Sequence, residues 1–164
     1  MTKTSNKVKK NTNKENNFKR LAENRYAKFQ YAISETMEAG IELLGTEVKS
    51  IRNRNVNIRD GYCSFRDGEI LLLNVHISPH KNVGSFFNHD PLRNRKLLLH
   101  KNEIIRIKSK TEKKGLTIIP LSIYLKGSWI KLTIGIGRGK KLHDKRQADK
   151  QKNIKREIKT ALKR

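Results

Sequence analysis

The clearest pattern of apolar and polar positions lies between residues 116 and 136. Leu116 to Leu125 is an apolar-rich run. After Lys126-Gly127-Ser128, the residues Ile130, Leu132, Ile134 and Ile136 alternate with Lys131, Thr133 and Gly135. Side chains on a strand point alternately to its two faces, so this spacing predicts an antiparallel strand pair with one face buried. A second pair is predicted around Asp67-Gly68, a strong tight-turn signal between Tyr62-Cys63-Ser64-Phe65 and Ile70 to Ile77, with Pro79 closing the second strand. Phe29, Tyr31 and Ile33 alternate with Gln30, Ala32 and Ser34, which predicts another strand. Glu38-Ala39-Gly40 is expected to turn or bulge it before Ile41 to Leu44 continues.

Two short helices are expected. Thr46 is placed to cap one, with Glu47 in its first turn and Val48, Ile51 and Arg52 at helical spacing. Leu97, Leu98, Ile104 and Ile105 suit a 3.6-residue period around Arg93, Arg95 and Lys96. Asn57 to Gly61 reads as a return loop, residues 80–91 (HKNVGSFFNHDP) as an irregular loop, and Lys108 to Gly115 as a polar turn. Six or so strands with two small helices form a mainly β domain. A small antiparallel barrel is the arrangement that leaves no open edge.

The flanks differ from this middle. Residues 1–22 contain only Val8, Phe18 and Leu21 as sizeable apolar side chains, too few to offset the entropy of ordering. Residues 1–23 are therefore expected to be a disordered basic extension, and 24–137 the folded barrel. Residues 138–164 form a basic tail whose Ile154, Ile158, Ala161 and Leu162 make one helical stripe, too slight to hold a helix unaided. The tail is expected to become helical on an RNA surface.

Charge sharpens the picture. The chain has 38 Lys+Arg against 15 Asp+Glu, a net +23. Residues 1–28 carry nine basic and two acidic residues, and residues 138–164 carry twelve and three. The 109 residues between carry seventeen and ten. A folded module with basic ends needs a polyanion to neutralise it, and nucleic acid is the expected one. No apolar run approaches the length of a membrane span, and the first twenty residues lack the apolar block of a secretory signal. Cys63 is the single cysteine, in keeping with a reducing compartment, and is expected to be a small buried side chain.

Catalytic and metal chemistry find little support. His76 and His80 are four apart, a spacing that suits zinc on a helix, whereas Pro79 puts them at a strand end. Gly135, Gly137 and Gly139 lack the Walker A spacing. They are expected to form a flexible joint whose backbone can approach phosphate. Glu38, Glu47 and Asp144 have no evident catalytic mate. A non-enzymatic chain with no cofactor and no metal is expected.

Specific strings go further. EAGIELLGTEVKSIR (38–52), HDPLRNRKLLLHKNEI (89–104), GLTIIPLSIY (115–124) and GIGRGKKLHDKR (135–146) resemble, in order, the signature blocks of the SsrA-binding protein family. NRYAKFQYAI (24–33) resembles its opening block, so the likeness runs from residue 24 to residue 164. The resemblance implies an OB-like antiparallel β-barrel. It implies binding to the tRNA-like domain of transfer-messenger RNA (tmRNA), delivery with elongation factor Tu to stalled ribosomes, and a C-terminal tail that senses the empty mRNA channel near the decoding centre. A cytoplasmic location and a monomer when free follow from the same likeness.

By residue, the resemblance implies tmRNA contacts at Asn24, Arg25, Glu38, Arg93, Arg95, Lys96 and Leu98. It implies ribosome contacts at Lys140, Lys141, His143, Asp144, Lys145 and Arg146, with a ring at His143 able to stack on an unpaired base. Composition alone leaves open a basic OB-like protein that binds ribosomal RNA directly in the ribosome or its assembly. The GKKLHDKR segment after a barrel favours the tmRNA reading.

Overall fold

The computed structural model describes residues 18–81, 83–141, 144, 158 and 160. In chain order the elements are β1 (Lys19–Glu23), α1 (Ala27–Gln30), β2 (Tyr31–Ile41), α2 (Gly45–Arg52), β3 (Val56–Asn57), β4 (Tyr62–Arg66) and β5 (Glu69–Leu73). They are followed by β6 (His76–Ile77), a 3-10 turn over Ser85–Phe87, β7 (Arg95–Leu98), α3 (Lys101–Lys114), β8 (Thr117–Lys126) and β9 (Trp129–Gly139). Strands β8, β4, β5, β7, β2 and β9 are neighbours in that order, and β9 pairs back onto β8. The six-stranded antiparallel barrel read from the sequence is therefore closed.

The two hairpins occur where the alternation predicts them. Cys63 pairs with Leu72 across the Asp67-Gly68 turn, where both turn residues have positive φ (51° and 80°), as a tight hairpin of this hand requires. Ile118 pairs with Ile136 and Ile123 with Leu132 between β8 and β9, and these four side chains lie in the core with Ile70, Leu72 and Ile134.

Several expectations are corrected. Lys19–Glu23, expected to be part of a disordered extension, is strand β1. Leu21 is the extra residue at an irregularity in the β1–β8 register, and it sits 6% exposed in the core. Leu21 in the core, Ala22 packed against it and pairing along the edge of β8 dock this polar segment. Phe29 belongs to α1, and β2 starts at Tyr31. Glu38-Ala39-Gly40 does not turn, because each residue stays paired with β9 (Thr133, Leu132 and Lys131). Gly40 is needed for a different reason: a Cβ there would lie 3.0 Å from the Leu98 Cβ on β7. Thr46 lies inside α2 rather than capping it, and its hydroxyl meets His89 Nδ1 at 2.9 Å.

The segment Arg95–Leu98 is a strand, not helix, and the helix starts at Lys101 and runs through the expected polar turn to Lys114. Gly115 ends it in the left-handed conformation, a common helix stop. Ile70 to Ile77 is interrupted at Asn74, which has φ 54°. Gly135 and Gly137 are buried within β9 instead of forming a loose joint, and a Cβ on Gly137 would meet the Ala32 carbonyl oxygen at 2.5 Å. They let the backbones of β2 and β9 approach closely where Ile33 pairs with Gly137.

One charged cluster lies inside. Glu47 and Arg95 are both 0% exposed. Arg95 Nε donates to Glu47 Oε1 at 2.8 Å, and its other nitrogens donate to the carbonyls of Val75, Arg93 and Pro91. Arg93 forks onto the same carboxylate at 2.9 and 2.6 Å, and the Leu44 N–H adds a fourth bond at 2.8 Å. Burial pushes the Glu47 carboxyl up. The bonds from Arg93, Leu44 and Arg95 outweigh it, leaving the group below the usual carboxylate range.

Removing one member of such a cluster leaves the others uncompensated in the interior, so Glu47→Gln should cost about 3–5 kcal/mol of unfolding free energy at neutral pH. The folded-state value is depressed. The carboxylate's contribution is therefore present above the ordinary carboxylate range and lost as pH falls through the folded value. Chemical denaturation of both proteins across pH should show the gap between them narrowing in acid. A constant gap would mean that the ionised form is not what stabilises the fold.

Candidate nucleic-acid interface

Pairing registers decide which side chains share the outside of the barrel. Arg20 lies opposite Tyr124, Tyr124 opposite Lys131, Lys131 opposite Gly40, and Gly40 opposite Leu98. Directly paired residues stand on one face, so these five form a belt across β1, β8, β9, β2 and β7. Two residues along each strand, Glu38, Thr133, Lys126, Trp129 and Lys96 join the same face. Trp129 is 75% exposed and Leu98 51% exposed, which is unusual for large apolar side chains on a small barrel.

Glu38 is the centre of the belt. Tyr124 donates its hydroxyl to Glu38 Oε2, and Lys126 Nζ lies 3.0 and 3.1 Å from the two carboxylate oxygens. The Tyr124 bond, helped by Lys126 and opposed by partial burial, holds Glu38 below the usual carboxylate range. Burial together with this same bond pushes the Tyr124 phenol up to about 12. Beside Glu38 opens a cavity of about 420 Å³, lined by Gly40, Leu98, Leu99, His100, Glu103 and Lys131. It offers carboxylate acceptors, an ammonium donor and an apolar wall, the groups that read an unstacked base edge and its phosphate. Lys96 salt-bridges Glu69 across β7 and β5, with both half exposed.

The other sequence-derived candidates divide. Arg95 is wholly buried against Glu47 and does not face solvent, while Arg93, about a quarter exposed, spends its Nε and one terminal nitrogen on the same carboxylate. Asn24 is 5% exposed. Its Nδ2 lies within donating distance of the carbonyls of Ile58, Arg59 and Pro120, and its Oδ1 accepts the Ala27 N–H. Its side chain thus pins the entry to α1 and does not face outward. That pin presents a second patch. Arg25 is almost fully exposed, Arg59 sits 5.0 Å from the Tyr26 ring centroid, and the Tyr26 and Phe29 rings are 5.3 Å apart. They line an open cavity of about 670 Å³, with aromatic faces and guanidinium groups suited to stacked bases.

The root of the tail adjoins this patch. Lys140 donates its N–H to the Gln30 carbonyl at 2.8 Å and its Nζ to the Lys28 carbonyl at 3.0 Å. The Lys141 N–H reaches the Asp144 carboxylate at 3.3 Å, the back-bond of a helix start. His143, Lys145 and Arg146 lie outside the described residues. Among the described residues no group of three or more His, Cys, Asp or Glu is placed to hold a metal, and no helix is long and apolar enough to cross a membrane. Cys63 is buried, and burial pushes its thiol up.

Sequence reasoning did not single out Tyr124, Lys126, Lys131 or Trp129: the alternation of Ile130 to Ile136 set Lys131 on the polar face, but Lys126 was read as part of the connection and Tyr124 as part of an apolar run. It also missed Phe18, Tyr26 and Arg59, which only the tertiary structure brings to their partners.

The sequence model of the SmpB protein family matches residues 21–164. The chain belongs to the SmpB family. It is 85% identical over 164 residues to the SsrA-binding protein of Prochlorococcus marinus strain MIT 9312, covering both chains in full. To the SsrA-binding protein of strain SARG it is 60% identical over 162 residues, 99% of this chain and 98% of that one. A solved chain described as "tmRNA-SmpB: a journey to the center of the bacterial ribosome" superposes with a TM-score of 0.61 at 49% identity, covering 74% of this chain and 85% of the other. The closed barrel is thus an SmpB fold, and the Glu38 belt and the tail root are built on that SmpB scaffold.

Tyr124→Phe should raise the Glu38 pKa toward the ordinary carboxylate value, because the strongest of its stabilising bonds is lost while Lys126 remains. Carbon-13 titration of the Glu38 carboxyl by NMR measures this, and an unmoved midpoint would show that the phenol does not set its ionisation.

Proposed function

We propose that this chain is an SsrA-binding protein. It binds the tRNA-like domain of tmRNA and delivers it, with elongation factor Tu, to ribosomes stalled without a stop codon. It works without catalysis, as an RNA-binding partner in the cytoplasm. The observation that carries this reading is the belt centred on Glu38: a preorganised carboxylate among Lys126, Lys131, Tyr124 and the exposed Leu98, beside a cavity of about 420 Å³. A surface meant only for generic polyanion binding gains nothing from a carboxylate at its centre. A folded RNA with amino and hydroxyl donors does.

Supporting the second half of the reading, the tail leaves the barrel on the opposite end of β2 from Glu38. The Tyr31–Gly139 pair is at one end and the Glu38–Thr133 pair well along the strand. RNA on the belt leaves the cationic tail free to meet the ribosome at the decoding centre and mRNA channel. At the root of the tail the Lys141 N–H donates to the Asp144 carboxylate.

Binding of transcribed tRNA-like domain should weaken steeply with salt, because phosphate contacts release counterions. Lys131→Ala should weaken binding and reduce the slope of log affinity against log salt by about 1. An unchanged slope would remove Lys131 from the phosphate contacts. Truncation after Lys141 spares the Lys140 bonds that close β9 onto α1 and should leave RNA binding in place while abolishing rescue of stalled ribosomes in a reconstituted system. Full rescue by the truncated chain would contradict the tail's role.

A further inference from the structure

Strand β1 is an addition to the six-stranded ring, and the side chain that leads into it touches the centre of the belt. The Phe18 ring meets the Tyr124 ring edge-on with centroids 5.2 Å apart, and Lys126 Nζ lies 5.8 Å from the Phe18 centroid. Tyr124 and Lys126 are the two side chains that hold Glu38. Phe18 is 41% exposed and contributes nothing to the core cluster, so its packing is confined to the outer face. Its place is fixed from behind. Leu21 anchors β1 in the core, and Lys19 and Arg20 pair with Leu125 and Tyr124.

We propose that Phe18 is a positioning residue of the RNA interface, clamping Tyr124 and Lys126 onto Glu38 so that the carboxylate meets RNA already oriented. This rests on the reading of the belt as the tmRNA surface. An edge-to-face ring contact limits the phenol's rotation, and an ammonium held near a ring face keeps its Nζ within reach of both carboxylate oxygens. Without the ring, Tyr124 and Lys126 sample other rotamers, and RNA binding must then order them. Phe18 bears no charge, so its effect falls on affinity and leaves the number of phosphate contacts unchanged.

The test uses the full chain and its Phe18→Ala and Phe18→Tyr variants, with transcribed tRNA-like domain as the probe and a duplex of equal length as control. Phe18→Ala should weaken binding to the tRNA-like RNA by roughly three- to tenfold at fixed salt, the size of one ring–ring contact. The salt slope should be unchanged, and the Glu38 carboxyl should titrate closer to the ordinary value. Phe18→Tyr should restore both affinity and titration, which a loss of folding would not allow. Wild-type affinity in Phe18→Ala, or a weakened affinity with an unmoved Glu38 titration, overturns the proposal. If the wild-type chain itself shows no preference for tRNA-like RNA over the duplex, the functional reading fails first and takes the proposal with it.

Discussion

A single buried carboxylate ties α2 to the start of β7 and to the loop that leads into it. Glu47 accepts from the Leu44 N–H at the start of α2 and from both arginines around the start of β7, while Arg95 reaches on to the carbonyls of Val75 and Pro91. An unpaired charge at either position would be prohibitively costly in the interior, so the elements dock in the arrangement that pairs them all. The consequence for function is one of parity. With Arg95 and Leu97 turned inward, Lys96 and Leu98 must face out. A slip of one residue in β7 would bury a lysine, expose Leu97 and dismantle the face on which Glu38 sits. The outer belt is therefore specified from inside the barrel.

That arrangement separates two uses of basic side chains that composition cannot distinguish. Arg93 and Arg95 serve the interior, and Lys126 and Lys131 serve the surface. Arginine suits the first task because its planar group satisfies a carboxylate and several carbonyls at once, as Arg95 does here. Lysine suits the second, since its compact ammonium reaches both oxygens of Glu38 while its stem stays on the outer face. The two surface patches also differ in how they are built. The belt is built on strands, which hold their side chains in register. The Arg25–Tyr26–Arg59 corner is built on a turn of helix and a loop pinned by Asn24.

Strand alternation was legible wherever a strand has one wet and one dry face. Ile130 to Ile136 and the Asp67-Gly68 hairpin are where the pattern puts them, and closure into a barrel follows from them. The resemblance of the signature strings to the SsrA-binding family carried the reading from fold to partner. What stayed hidden was set by tertiary context. Arg95-Lys96-Leu97-Leu98 carries a charged inward residue, so its apolar pattern mimics a helix. β1 looks too polar to order because its stability comes from Leu21, Ala22 and a borrowed edge. Gly137 reads as a hinge until the Ala32 carbonyl is seen against it. Asn24, expected as a contact on the resemblance alone, has its amide turned to the carbonyls of Ile58, Arg59 and Pro120, a placement that only the tertiary structure reveals.

Barrel, belt and tail amount to one claim: the outer face of β1, β8, β9, β2 and β7 is where the tRNA-like RNA sits. The most direct test is NMR shift mapping of the isotope-labelled full chain as the transcribed tRNA-like domain is added. The account predicts shifts concentrated at Glu38, Leu98, Tyr124, Lys126, Lys131 and the Trp129 indole, with the Phe86–Phe87 loop unmoved. Shifts centred on that loop, or none on the belt at saturating RNA, would contradict it.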